Sequence, residues 1–195
     1  MRDDGLRWMN LFRTALVLLG AAALSGCGAS TNGTRTASED ESSSSIPSGT
    51  LFRDPDGTYA MEIDDGWTPQ RDGVAADSEA WRVGASDPGQ FQPSVVVVTY
   101  DTPGADLSEF LGDSAQSLER LPNTEVIDLE IIDGTFDELA VLEFSHTRAG
   151  HDLQFVQIAA TNGEVIITAL FAAAVDDFEK LRPEVEPLLH TLRAT

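Results

Sequence analysis

Cys27 is the only cysteine in a chain of 195 residues, and it carries the sharpest chemical signal in the sequence. A thiolate is the one good side-chain nucleophile available for forming a thioether. With no second cysteine, the sequence holds no internal disulfide, no Cys-based zinc site and no redox pair. The next candidates are the histidines His146, His151 and His190. His146 and His151 flank Arg148-Ala149-Gly150, with Glu143 and Asp152 close by in sequence, and a metal site is conceivable there. Two polar histidines on an exposed hairpin are the preferred reading, so no metal and no cofactor is expected. His190 lies near a helix C-terminus, where its positive charge would suit the dipole.

Nucleophiles other than Cys27 fare no better. No Gly-x-Ser-x-Gly elbow occurs. Ser145 and His146 are chain neighbours, so on a strand they point to opposite faces. Asp54-Pro55-Asp56-Gly57 opens like a calcium loop but lacks the later ligands and the closing Glu, and reads as a turn. No glycine-rich phosphate loop is present. No catalytic residue is assigned, and an enzyme is not expected. Five aromatics, Trp67, Trp81, Phe91, Tyr100 and Phe136, fall at strand ends or in loops. They are candidates for lining a pocket for a lipid or glycolipid. The rim of an ordinary core is the preferred alternative.

The residues before Cys27 explain what it is for. Arg2, Arg7 and Arg13 place positive charge ahead of Ala15–Leu24, an uncharged run of ten residues, although Asp3 and Asp4 dilute it. A membrane-crossing helix needs roughly 20 apolar residues, and a run half that length matches a signal-peptide core. The run ends Leu24-Ser25-Gly26-Cys27-Gly28, which resembles the lipobox of bacterial lipoproteins. That resemblance implies diacylglycerol on the Cys27 sulfur, cleavage between Gly26 and Cys27, and usually acylation (palmitate and its kin) of the new amino terminus. A secretory signal with an accidental cysteine, or an uncleaved anchor, agrees less well with the position and flanks of the motif. One acyl chain holds a protein marginally and two hold it stably, so a diacylglyceryl-cysteine suffices. The expected address is the extracytoplasmic face of the cell membrane.

Residues 28–49 are Ser-, Thr- and Gly-rich with Ile46 as the one large apolar side chain, too few to repay ordering entropy. They read as a disordered tether with a typical span of roughly 25 Å. Residues 1–26 are thus assigned as signal peptide, 27–49 as lipidated cysteine and tether, and 50–195 as one domain. Removing residues 1–26 takes away Asp3, Asp4, Arg2, Arg7 and Arg13, leaving 31 acidic and nine basic side chains, a net of −22 with His neutral. Such a surface repels nucleic acid, which is excluded as a partner. The carboxylates are spread along the domain, which suits solvation better than a calcium site.

Within the domain the hydrophobic period changes. Tyr59, Met61 and Ile63 alternate, as do Trp81 and Val83, and Val95–Val98 is a continuous run suited to a strand covered on both faces. Asp106, with Glu109 three positions on, reads as a helix N-cap. Leu107, Phe110, Leu111, Ser114, Leu118 and Leu121 follow on one face until Pro122. Then come four strand-like runs joined by short turns, which must be antiparallel neighbours. The first is expected to turn Ile127, Leu129 and Ile131 inward. Asn162-Gly163 marks the last hairpin. A closing helix carries Phe178, Leu181, Val185, Leu188, Leu189 and Leu192; Pro183 is expected in the first turn of a second helical piece and Pro187 argues for an irregular start, with the boundary open. The order β-β-β-α-β-β-β-β-α predicts an α+β domain with a largely antiparallel sheet.

This order resembles the PsbP-like α/β/α sandwich, and more narrowly the LpqN/LpqT-type lipoproteins of high-GC Gram-positive bacteria. The matching features are the lipobox and tether, Tyr59-Ala60-Met61-Glu62-Ile63 running into Gly66-Trp67, the helix before Leu121-Pro122, the meander, and Leu188-Leu189-His190-Thr191-Leu192-Arg193. The resemblance implies a non-enzymatic envelope or accessory lipoprotein and supplies no catalytic residues. Two other readings remain: a secreted hydrolase with an unrecognised site, and an assembly partner of another envelope protein.

Overall fold

The computed structural model describes residues 49–70, 78–84, 90–135, 137–148 and 150–195. Gly26, Cys27, the tether and Phe136 lie outside the described residues. In chain order the elements are strands β1 (Thr50–Arg53), β2 (Tyr59–Ile63), β3 (Thr68–Gln70), β4 (Ser78–Arg82) and β5 (Ser94–Asp101), helix α1 (Leu107–Glu119), strands β6 (Thr124–Asp133), β7 (Glu138–Arg148), β8 (His151–Thr161) and β9 (Val165–Ala174), helix α2 (Val175–Leu189) and strand β10 (Arg193–Ala194).

Seven strands make one antiparallel sheet in the order β3-β4-β5-β9-β8-β7-β6. The expected meander is its β6–β9 half. A second sheet, β1-β2-β10, is also antiparallel. The valine run is β5, and it separates two cores: Val95 and Val97 face one cluster, Val96 the other. The first cluster is closed by α2 and by β2, the second by α1. The result is a sheet covered on both faces, an α+β sandwich as expected. Phe144 and Phe155 stack at 4.6 Å on the α1 side, and Phe171 and Phe178 at 5.2 Å on the α2 side.

α1 begins where its cap is. Asp106 is extended, and its carboxylate accepts from the Ser108 and Glu109 amides at 2.8 and 3.1 Å. Past Pro122 the chain turns through Asn123, a left-handed residue with φ of 58°, whose carbonyl accepts from the Thr147 amide at 3.0 Å. The β8–β9 hairpin uses Gly163 at a φ of 88°, while the Asn162 side chain accepts from the Glu164 and Val165 amides.

Three expectations are corrected. The sequence order omits β1, β3 and β10, strands of two to four residues whose mostly exposed patterns leave no alternation to read. α2 is continuous from Val175 to Leu189 with Pro183 and Pro187 inside it. Each proline forfeits one hydrogen bond, at ~3 kcal/mol in an ordinary helix interior. Burial of Phe178, Val185, Leu188 and Leu189 on one stripe offsets that cost. Finally, Ile127, Leu129 and Ile131 do not point inward to cover: they are 49, 49 and 36% exposed. β6 is an edge strand, and a bulge between Val126 and Asp128 changes which side chains share a face. Before the bulge Val126 lies opposite Phe144. After it Leu129 and Ile131 lie opposite Leu142 and Ala140, on the α1 side of the sheet but uncovered.

Candidate functional site

A polar constellation lies where α2, packed over β8 and β9, reaches β7 through Arg182 and Glu143. On β7, Leu139, Val141 and Glu143 alternate on the α2 side, so Glu143 continues an apolar row into the interior, where it is 9% exposed. Its partners come from two other elements. Gln154 of β8 donates through Nε2 to Glu143 Oε1 at 2.6 Å, and Arg182 of α2 donates through Nη1 at 3.2 Å to the same oxygen and lies 3.1 Å from Oε2. One turn on, Glu186 receives Arg182 Nε at 2.6 Å. The guanidinium also sits 5.7 Å from the centre of the Phe178 ring. The hydrogen bond that Arg182 donates to Glu186 raises the Arg182 pKa further, against burial, with the Glu186 and Glu143 charges adding to the rise. The cation is therefore permanent. His190, at the C-cap of α2, approaches Glu186 Oε1 with Nε2 at 3.8 Å, beyond hydrogen-bond reach, and that buried nitrogen has no hydrogen-bond partner among the described residues.

This arrangement clamps helix to sheet. Both Glu143 oxygens are engaged, and the fork of Arg182 is divided between two carboxylates. The cluster was missed at the sequence level, although two signals were present: the i, i+4 spacing of Arg182 and Glu186, and a charge continuing the Leu139-Val141 row.

The aromatic candidates separate. Trp67 and Trp81 belong to the core on the α2 side, and Phe91 and Tyr100 to the core on the α1 side, all four buried. The sheet stands between the two pairs, so those four do not line a common pocket. Trp81 meets Phe52 edge-on at 5.1 Å, and Tyr100 packs on Phe110 at 6.1 Å. Nearby, the Tyr59 hydroxyl is buried without a hydrogen-bond partner among the described residues, and its pKa is driven far up by burial and by the charges of Asp54 and Glu79.

His146 and His151 stand on neighbouring strands of the β7–β8 hairpin, opposite Leu153 and Arg148 respectively. His146 is tied by Nδ1 to the Thr124 hydroxyl at 2.8 Å. Burial lowers its pKa, a hydrogen bond with the Asn123 backbone opposes this, and Arg148 adds to the lowering. Asp152 accepts from the Thr147 hydroxyl at 2.8 Å, away from a histidine pair. Among the described residues no group of three or more His, Cys, Asp or Glu side chains is placed to hold a metal ion.

A sheet with α1 on one face, and α2 with a small sheet on the other, defines the PsbP-like α/β/α sandwich. LpqN of Mycobacterium tuberculosis, a protein involved in cell envelope biogenesis, superposes with a TM-score of 0.58 at 15% identity, covering 76% of this chain and 91% of that one. The cyanobacterial PsbP of a Synechocystis species gives 0.54 at 14% identity, covering 80% and 98%. A Pseudomonas aeruginosa protein of unknown function gives 0.53 at 19% identity, covering 73% and 94%. The fold is thus the LpqN-like, PsbP-like one that the sequence resemblance implied. No protein-family model matches the sequence, and no curated protein does.

Proposed function

We propose that this protein is a lipoprotein held by Cys27 at the extracytoplasmic face of the cell membrane, where its domain serves as a non-catalytic binding or accessory protein of the envelope. The observation that carries the reading is Leu24-Ser25-Gly26-Cys27 directly behind an uncharged run of ten residues. The fold shared with LpqN supports the envelope setting. Among the described residues no helix is long and apolar enough to cross a membrane. The accessory role is supported by the engaged state of Glu143 and Arg182, which serve packing. The separation of the four aromatics across the sheet favours a protein partner over a lipid or glycolipid ligand.

The test is a Cys27→Ala variant expressed in a bacterium that processes lipoproteins, followed by membrane fractionation and labelling with a fatty-acid analogue. The wild type should take up label and sediment with membranes, and the variant should do neither. An unlabelled wild type, or a variant that keeps both properties, overturns the anchor.

A further inference from the structure

The β6 edge stands out from the rest of the surface. Along its length β6 pairs with β7 and, among the described residues, with no strand on its other side. An unpaired edge of ten residues is a template for another strand, and natural proteins usually blunt such edges with charge. Over Asp128–Ile131 the charge lies on one face only, with Asp133 closing the apolar face at the end of the strand. After the bulge, Asp128 and Glu130 lie opposite Glu143 and Val141 on the α2 side, while Leu129 and Ile131 occupy the α1 side. Ile127, Leu129 and Ile131 are among the few large apolar side chains that are strongly exposed. The Leu129 amide is meanwhile occupied by the Asp128 carboxylate at 2.9 Å, a local bond that an incoming strand or cation would release.

We infer that β6 is a strand-addition site for an extended segment of a partner protein in which apolar residues alternate with lysine or arginine. A strand laid against β6 has the same period of two, so one of its faces meets Leu129 and Ile131 and the other meets Asp128 and Glu130. Charge selects the occupant. A second copy of this chain paired antiparallel through β6 would set Asp128 and Glu130 against like charges, which is destabilising. The chain's own residues 28–49 carry one basic side chain, Arg35, against Glu39, Asp40 and Glu41, and are repelled for the same reason. A basic alternating strand meets none of these penalties. The inference deepens the accessory role proposed above by naming its partner class, and it does not depend on the lipid anchor.

The probe is a blocked (Val-Lys)5 peptide added to the purified full-length chain. Binding is read by calorimetry, and its location by amide hydrogen exchange. (Val-Lys)5 should bind and slow exchange across Ile127–Ile131, while (Val-Glu)5 and a scrambled peptide of the same composition should do neither. Leu129→Ser with Ile131→Ser alters exposed positions only and should weaken binding at least about tenfold. Asp128→Lys with Glu130→Lys should exchange the preference, so that (Val-Glu)5 binds instead. Binding that survives scrambling, that protects other strands, or that ignores either pair of substitutions overturns the inference, and so does no binding at all. Complete protection of β6 before peptide is added also overturns it, since another copy or segment would then hold the edge. None of these results bears on Cys27, whose labelling test stands separately.

Discussion

Arg182→Ala should be among the most damaging single changes outside the apolar core. Among the described residues it removes the only cation bonded to Glu143, whose side chain is 12% exposed, and leaves a carboxylate held by Gln154 with Asp128 opposite in the sheet. Removing one partner of a fully buried pair costs about 3–5 kcal/mol, because the other charge is stranded. The Arg182 side chain is 34% exposed, so water reaches the vacated space and the cost falls to about 2 kcal/mol. Part of that is lost packing over Phe178, which a partly exposed guanidinium contributes at about 0.5–1 kcal/mol. For a domain of this size the midpoint of thermal unfolding should drop by about 5 °C.

The assay is urea and thermal unfolding of five proteins: wild type, Arg182→Ala, Arg182→Lys, Glu143→Gln and the Arg182→Ala/Glu143→Gln double variant. Glu143→Gln keeps the shape and strands no negative charge, so it should cost less than loss of the arginine. The double variant should be more stable than the sum of the singles predicts, with a coupling of about 1–2 kcal/mol. Arg182→Lys should fall between wild type and Arg182→Ala, since an ammonium cannot divide a planar fork between Glu143 and Glu186. If Arg182→Ala unfolds within about 0.5 kcal/mol of wild type, or the cycle shows no coupling, the clamp is a surface ion pair and the reasoning fails.

Asp106→Ala removes the acceptor for two N-terminal amides of α1 and should cost about 1 kcal/mol, with Asp106→Asn nearly silent, as urea midpoints will show. Burial lowers the His146 pKa in the fold, so its contribution is fully present above its unfolded pKa of about 6.5 and is lost as pH falls through the lower folded value. Comparing wild type with His146→Asn at pH 7.5 and pH 5 should therefore show the wild type losing more stability on acidification, and an equal loss in both would remove this assignment.

The parts of the fold that were legible in the sequence are those whose pattern is enforced by two neighbours. The meander could be read because its strands are joined by short turns at Ala149-Gly150 and Asn162-Gly163, which leave no topology but adjacency. β5 was legible because Val95–Val98 has no polar face to expose. α1 was legible because its cap, its stripe and its terminator all agree. β1, β3 and β10 carry no such redundancy: they are ordered by pairing with β2 or β4, and nothing in two to four residues announces a partner distant in sequence. The continuity of α2 was hidden for a different reason. Local propensity weighs Pro183 and Pro187 alone, whereas the helix is held by four buried side chains against β2 and the sheet.

The candidate sites divide along the same line. The aromatics were grouped because they share a chemical type at similar places along the chain, but chain position does not tell which side of a sheet a ring enters. Trp81 and Phe91 are ten residues apart and lie in different cores. Glu143 and Arg182 are thirty-nine residues apart and touch. β6 joins both lessons. Alternation marks Ile127, Leu129 and Ile131 as an apolar row, but the bulge at Ile127 leaves only Leu129 and Ile131 in phase, and a period of two is all that one strand can report. Whether such a row is core or surface depends on the strand's place in the sheet and on how far α1 extends over it. A bulge moves Val126 and Leu129 onto one face, and beyond α1 the row continues without cover. An apolar row that alternates with carboxylates is therefore ambiguous in sequence between a strand that has buried its partner and one that still awaits it, and the free edge of β6 puts this strand in the second class.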